Sequence, residues 1–378
     1  MTRSFEMRNR FFDQLCEDKR LMWMGQNTNH FEPHPAVMEA MNRAIKDGDF
    51  HIYAPPLGLE ALRHGILEDM NIRSASIMIT NGAVEALYNV CTRFNEPGKS
   101  FITTDPSWAW PMNFAKHSGA EVIQLPIYGR ERGYKLSIEQ LRAAVNENTQ
   151  MIYLVDPNNP LGTCHTADEI KEIADIAKSV GAYLVHDSTY SAFADKHTPA
   201  YDFYPEKTIV IYSFSKWLGF AGMRLGAIVA SPENIELLAS SPPNNLGCNI
   251  VAQRAAIAAL ETKAEWFPGI KARLSRNQKA VFDRVAAVSQ MVVPVYPAQA
   301  NFLIIETEDA GITPEALVSA YRKQNIMIRQ GAYHTRQFGH RFVKVSLTVP
   351  EEWVDQFCDS LPQMMDEAMA GNSAATLF

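Results

Sequence analysis

The stretch Ser213-Phe-Ser-Lys-Trp-Leu-Gly-Phe-Ala-Gly-Met-Arg224-Leu-Gly decides how this chain is read. A lysine follows two hydroxyls within three residues, and an arginine comes eight residues later inside a glycine-rich run. The segment follows Thr208-Ile-Val-Ile-Tyr212, an apolar β-branched run that reads as a buried strand. Lys216 is therefore delivered at a strand end, where open α/β sheets place their chemistry. A lysine amine there can form a Schiff base. Two hydroxyls and a guanidinium can hold a phosphate, the arginine as a bidentate fork. An aldehyde that also carries a phosphate is pyridoxal phosphate, whose usual protein handle is a lysine Schiff base. The plainer readings are a solvated surface lysine, or a Ser-x-x-Lys pair in which the serine is the nucleophile.

Upstream segments weigh against the plainer readings. Asp156-Pro-Asn-Asn-Pro-Leu-Gly-Thr163 follows the strand-like Met151-Ile-Tyr-Leu-Val155. Tyr183-Leu-Val-His-Asp-Ser-Thr-Tyr190 is another apolar run leading into an acid and a tyrosine. Ile77-Met-Ile-Thr-Asn-Gly-Ala-Val-Glu-Ala-Leu87 reads as strand, tight turn and helix start. Four strand ends thus present polar groups toward one crevice. With Asn159, Asp187, Tyr190, Lys216 and Arg224 in this order and spacing, the chain resembles the fold type I pyridoxal phosphate enzymes over nearly its whole length. Within them it is most similar to aminotransferase class I/II, in the branch that includes histidinol-phosphate aminotransferase.

The resemblance implies a role for each matched residue. Asp187 pairs with the pyridine nitrogen and keeps the ring protonated; its plainer role is a helix cap. Asn159 and Tyr190 hydrogen-bond the cofactor's phenolic oxygen, with a turn asparagine as the plainer role of Asn159. Gly82, Ala83 and Val84 open a helix whose free N–H groups suit an anion, and Ser213, Ser215 and Arg224 complete a phosphate cup. Trp108 stacks on the cofactor ring, while Trp110 reads as core packing. Tyr53 reaches the phosphate of a neighbouring subunit, which implies a homodimer with shared sites. Lys216, Asp187 and Tyr190 are the catalytic set.

The implied reaction is ping-pong transamination between an amino acid and a 2-oxo acid. A lyase, decarboxylase or oxidase is the runner-up, because the substrate-binding residues depart from the family pattern. A non-catalytic regulator is disfavoured because the chain begins at the fold, with no room for a DNA-binding head. The loop that in histidinol-phosphate aminotransferases runs Asn-Glu-Asn-Pro is here Gly25-Gln-Asn-Thr-Asn-His-Phe-Glu-Pro-His-Pro35. Asn27, Asn29 and His30 are expected over the substrate, or equally to serve as turn residues. The family's carboxylate-gripping Arg-[Ile/Val]-[Ser/Thr] reads Lys344-Val-Ser346 in register. Arg329 matches a position that reaches the substrate's distal group, its plainer role being a surface ion pair.

Composition agrees. The 378 residues are 47% hydrophobic and 20% charged, with a net charge of −7. That excludes a basic nucleic-acid footprint. No run approaches the roughly 18 apolar residues of a membrane helix. The N-terminus lacks an apolar signal core. Five cysteines without a Cys-x-x-Cys pair read as reduced thiols in the cytoplasm, and no histidine spacing suggests a metal.

Strands are expected at 77–80, 100–104, 121–127, 151–155, 183–187, 208–212 and 226–230, with helices at 83–94, 137–146, 166–179 and 231–240. This alternation predicts a three-layer α-β-α large domain with a mostly parallel sheet. A helical region over 249–290, broken near Pro268, leads to a smaller α+β domain. That domain has strands at 291–296, 301–306, 326–329 and 342–347 and helices near 313–324 and 350–369. The tail from Ala368 to Thr376 reads as frayed. The expected domains are an N-terminal segment 1–50 packing with the small domain, a cofactor-binding domain 51–265 and a small domain 266–378.

Overall fold

A computed structural model describes residues 2–240, 246–288 and 290–371. Cα packing divides the chain into a larger unit, Thr28–Arg273 with Ala298–Asn301, and a smaller one, Met1–Asn27, Leu274–Pro297 and Phe302–Phe378. The sequence reading draws its boundaries after residues 50 and 265; packing draws them after 27 and 273. Residues 28–50 join the larger unit because the helix Pro35–Lys46 packs on the helix Ile250–Glu261. The second helix buries Ala252, Ala255, Ala256 and Ala259, a small-residue face that lets the two backbones approach closely.

The larger unit is built on seven strands: β1 Ser76–Thr80, β2 Ser100–Asp105, β3 Glu121–Pro126, β4 Thr149–Val155, β5 Tyr183–Asp187, β6 Thr208–Ser213 and β7 Gly226–Ala230. Their order is β1-β7-β6-β5-β4-β2-β3, and only β7 runs antiparallel to its neighbours. Strands β2, β6 and β7 are buried at every residue. Burial on both faces favours near-continuous apolar runs, as in β6 and β7, while β2 is buried yet carries Ser100, Thr103, Thr104 and Asp105. The crossover helices bury one stripe each. Ala167–Ser179 starts at a reciprocal Thr166/Glu169 capping box and buries Ile170, Ile173, Ala174 and Ala177, the i, i+3, i+4, i+7 pattern. Fully burying an isoleucine such as Ile173 contributes about 1.5–3 kcal/mol, so an acid there would detach the helix.

The smaller unit contains β8 Phe302–Glu306, β9 Arg329–Gln330 and β10 Phe342–Ser346, all antiparallel in the order β9-β10-β8. The helices Pro314–Lys323 and Glu351–Ala370 pack against one another.

Several elements differ from expectation. The helical break falls at Thr262, whose hydroxyl donates to the Ala258 carbonyl, rather than at Pro268. Pro268 sits in the second turn of the helix Lys263–Ala286, which runs through it at the loss of the bond to the Ala264 carbonyl. The expected strand 291–296 is a single bridge, Val292 to Glu306. The expected strand 326–329 is two short pieces: Ile326–Met327 pairs in parallel with Met22–Trp23, and Arg329–Gln330 belongs to the other sheet. The C-terminal helix runs to Ala370, so Ala368–Ala370 are not frayed; residues 372–376 lie outside the described residues. The helices Thr2–Glu17, Pro35–Lys46, Glu60–Met70 and Ala109–His117 went undrawn in the reading.

Candidate active site

Strands β4, β5 and β6 are parallel neighbours, and their C-terminal ends carry Asn159, Asp187 and Lys216 in that order. Asp187 is the last residue of β5 and is 2% exposed. Its Oδ2 accepts the Tyr153 hydroxyl at 2.8 Å. Its Oδ1 accepts the Thr189 backbone N–H at 3.1 Å and hydroxyl at 2.6 Å. Burial raises the Asp187 carboxyl above its ordinary value, and the Thr189 and Tyr153 bonds oppose that rise. A cationic ring nitrogen would supply the charge that such a desolvated carboxylate needs. Tyr190, three residues on, and Asn159, four past β4, are both buried.

Lys216 lies three residues past the end of β6 in a segment whose Phe214, Trp217, Leu218 and Phe220 are buried. Ser213 and Ser215 are buried, and the Ser215 N–H donates to the Ser213 hydroxyl at 3.3 Å.

The anion cup forms where the helix Ala83–Phe94 begins. Gly82, at φ +84, caps it. A Cβ on Gly82 would come within 2.4 Å of Arg224 Nη2, so the guanidinium lies directly against that helix N-terminus. Arg224 donates from Nη1 to the Ala221 carbonyl at 2.7 Å and from Nη2 to the Asn81 carbonyl at 3.3 Å. Gly226, paired with Ser213 across β7 and β6, is equally close: a Cβ there would sit 2.7 Å from the Ala83 nitrogen. Free N–H groups, a guanidinium and hydroxyls thus converge, with Val84 in the helix's first turn. These residues fit pyridoxal phosphate: a lysine for the aldehyde, a buried carboxylate for the ring nitrogen and a cationic cup for the phosphate.

Other candidates fall out differently. Trp108 caps the helix after β2 and is half-buried. Trp110 is not core: it is 38% exposed, packing on Phe114 from the helix surface. Tyr53 is 79% exposed. In the larger unit, Asn29 donates to the Trp217 carbonyl at 2.9 Å and accepts the Phe31 N–H, while His30 bonds Thr28 Oγ1 at 2.8 Å and burial lowers its pKa. In the smaller unit, Asn27 donates its N–H to the Ser346 hydroxyl at 2.7 Å and accepts from it at 2.9 Å. Asn27 and Asn29 thus tie their loop to segments distant in sequence, and only the Phe31 N–H bond to Asn29 is turn-like.

Arg329 is not a surface ion-pair residue. It is 8% exposed, lies over the Tyr333 ring at 4.6 Å and donates to the Gly25 carbonyl. It stands directly opposite Lys344 across β9 and β10, so the two cations share one sheet face. Lys344 is 3% exposed, with its Nζ 5.0 Å from the Phe302 ring centre. His334, also buried, is held well below its ordinary pKa by desolvation first and by the charges of Lys344 and Arg329 second.

Sequence reasoning missed Tyr153, the buried partner of Asp187. Its only signal was a hydroxyl inside an apolar strand. It also missed the group around Asp156. Among the described residues, Asp156, His186 and His197 bring three ligand-type atoms within 4.8 Å. Hydrogen bonding accounts for part of this group, His197 Nε2 bonding the Asp156 carbonyl at 3.2 Å. The Ala200 N–H donates to His186 Nδ1 at 3.0 Å, leaving the proton on Nε2, 3.7 Å from Asp156 Oδ2. His165 approaches Asp156 Oδ1 with its backbone N–H at 2.9 Å and with Nδ1 at 2.8 Å. Burial pushes Asp156 up, but His165 and His186 outweigh it and hold the carboxyl well below its usual range.

Residues 19–361 match the family profile "Aminotransferase class I and II". The chain belongs to that family. This aminotransferase is 27% identical over 355 residues to an aspartate aminotransferase of Pyrococcus horikoshii, covering 90% of each chain. It is 26% identical to a histidinol-phosphate aminotransferase of Staphylococcus saprophyticus, covering 78% of this chain and 81% of the relative. Its fold superposes on the Thermus thermophilus aspartate aminotransferase solved with maleate, at TM-score 0.81, 20% identity and coverage of 96% and 94%. It superposes equally well, at 0.81 and 20% identity, on N-succinyldiaminopimelate aminotransferase from Mycobacterium tuberculosis, covering 90% and 92%. No helix among the described residues is long and apolar enough to cross a membrane.

Proposed function

We propose that this enzyme transfers an amino group between an amino acid and a 2-oxo acid, using pyridoxal phosphate held on Lys216. The observation that carries the reading is the row of Asn159, Asp187 and Lys216 on adjacent parallel strand ends in a unit that also sets Arg224 against a helix N-terminus. When bound, pyridoxal phosphate acts as an electron sink for a carbanion at the substrate's Cα. Lys216 would anchor the cofactor and, once released by the substrate amine, would be the base that takes the Cα proton and delivers a proton to the cofactor's aldehyde-derived carbon. The Tyr153 and Thr189 donors favour the ionised form of Asp187 against its burial, the form that pairs with a protonated ring nitrogen. Tyr190 and Asn159 donate to the phenolic oxygen; Trp108 covers the ring. Gly82, Ala83, Val84, Ser213, Ser215 and Arg224 bind the phosphate. Arg329 and Lys344 hold the substrate's acidic groups, with Asn27, Asn29 and His30 nearby in sequence to the substrate loop. Tyr53 acts across a homodimer, its 79% exposure leaving it available to a second copy. The five cysteines are free thiols, which supports a reduced cytoplasmic setting.

The test is a screen of amino donors with no keto acid present, following the cofactor's visible spectrum. A transaminase converts its cofactor stoichiometrically and then waits for a 2-oxo acid. Continuous turnover from an amino acid alone would instead place the enzyme among lyases, decarboxylases or oxidases.

A further inference from the structure

Lys263 is the first residue of a helix far along the chain from Lys216, yet it faces the segment that carries it. Its ammonium contacts both carboxylate oxygens of Asp69, at 2.5 and 2.7 Å. The Asp69 Oδ2 also accepts the hydroxyl of Tyr212 at 2.6 Å. Tyr212 is the penultimate residue of β6, four residues before Lys216. The same ammonium lies 4.3 Å from the ring centre of Trp217, the residue immediately after Lys216. Trp217 is 1% exposed and packs among Phe214, Trp266 and Phe267. Its carbonyl is fixed separately by Asn29.

The arrangement ties both flanks of the segment 213–216 to one ion pair. Asp69 holds the strand side through Tyr212, and Lys263 holds the far side through the indole face. Both charged side chains are mostly buried, with 16% and 17% exposure. A scaffold that needed only filling could use an apolar side chain here without desolvating two charges. An ammonium adds a directional grip: a cation over an indole face is attracted electrostatically, and more strongly where water is excluded.

We infer that Lys263 is a positioning residue for Lys216, its ammonium held by Asp69 and laid on Trp217 so that the reactive lysine's backbone is fixed from both sides. The inference rests on the proposed role of Lys216. Displacement of a reacting group by a fraction of an ångström to one ångström lowers turnover far more than it lowers stability.

The experiment uses the holoenzyme and its Lys263→Met, Lys263→Arg and Asp69→Asn variants. Three quantities are read: kcat and KM, the pH midpoint of the cofactor's visible band, and the thermal midpoint. For Lys263→Met, kcat is expected to fall about tenfold with KM within about twofold, and the pH midpoint to move. Lys263→Arg, which can still stack on the indole and pair with Asp69, should recover most of kcat and the native pH midpoint. Asp69→Asn loosens the same ammonium with little change of shape, and serves if Lys263→Met does not fold. A variant that keeps kcat within about twofold and the native pH midpoint, whatever its thermal midpoint, overturns the inference. Borohydride reduction and peptide mapping of the parent enzyme separate the two failures. An adduct away from Lys216 retires the proposed function itself. An adduct on Lys216 with silent variants retires only the positioning role.

Discussion

At the scale of single residues, the proposed chemistry turns on what opposes the burial of Asp187. Tyr153 and Thr189 supply the donors, and a hydrogen bond to a charged group is worth about 1.5–3 kcal/mol. Removing the Tyr153 hydroxyl removes an interaction that favours the ionised form, so the Asp187 pKa rises further. In Tyr153→Phe, the acidic limb of the pH profile of kcat should therefore move to higher pH, with the alkaline limb unmoved. An unchanged acidic limb would mean that Asp187 does not govern it. Stability should respond in the opposite sense. The folded-state pKa of Asp187 is raised above its unfolded value. Such a group stabilises the fold fully below the unfolded pKa and loses that contribution as pH rises through the folded pKa. Near neutrality the ionised form is therefore a cost to the cofactor-free protein. Asp187→Asn should raise the thermal midpoint of the cofactor-free protein at pH 7, while lowering kcat about a hundredfold or more in the loaded enzyme. Differential scanning calorimetry with and without cofactor checks both signs. The buried strand-end position of Asp187 was legible from the sequence, because an acid ending an apolar strand is an anomaly. Tyr153 was not, because a tyrosine in a strand is ordinary until its hydroxyl is seen to meet a carboxylate.

At the scale of elements, one contact in each unit bears on the proposed function, and each invites a substitution. Gly226 lets β7 pass against the start of the helix Ala83–Phe94, where a Cβ would meet the Ala83 nitrogen at 2.7 Å and the Gly82 carbonyl carbon at 2.7 Å. The obstacles are backbone atoms, so they cannot swing aside. Gly226→Ala should destabilise the fold by about 1–3 kcal/mol and weaken pyridoxal phosphate binding as the helix start is displaced. Chemical denaturation and cofactor titration measure the two effects. The second contact is the ladder register that sets Arg329 opposite Lys344. Lys344→Ala should lower kcat/KM by roughly 1.5–3 kcal/mol, the worth of a charged hydrogen bond. Arg341→Ala should be nearly silent, since Arg341 precedes β10 and pairs with Glu308 at 2.5 Å. Steady-state kinetics that reverse this order would move the carboxylate anchor away from Lys344. Strands such as β6 and β7 were readable because burial on both faces imposes near-continuous apolar runs, whereas β3 leaves Glu121 and Gln124 exposed. The short pieces at 326–330 were not, because two-residue strands owe their existence to partners distant in sequence. The break at Thr262 was hidden for a related reason: proline is a louder signal than a threonine whose hydroxyl turns back on its own helix.

At the scale of the whole molecule, the sequence reading reached a fold and a family, while the proposed second subunit could leave only an indirect trace in one chain. That trace is a run of exposed apolar side chains. Phe50, Ile52 and Tyr53 are 58%, 57% and 79% exposed, within four consecutive residues. Scattered apolar exposure is normal, whereas three such side chains together leave a surface that a partner can cover. In a two-fold dimer, a residue that acts across the boundary does so twice, once in each site. The proposed role of Tyr53 therefore predicts complementation. Lys216→Ala should be inactive because it lacks the base. A Tyr53→Ala protein should be severely impaired, which is measured first. A mixed dimer of the two then holds one site with the native lysine of one chain and the native tyrosine of the other, and one site lacking both. If subunits assort at random in an equal mixture, half of the dimers are mixed and each has one intact site. Activity should then return to about a quarter of the native level. The recovery should appear only after subunits have exchanged, for example through mild denaturant or coexpression, and should track the mixed species separated by charge or by affinity tag. Purified mixed dimers without activity would place Tyr53 in its own subunit's site, and a fully active monomer by light scattering would remove the shared site altogether.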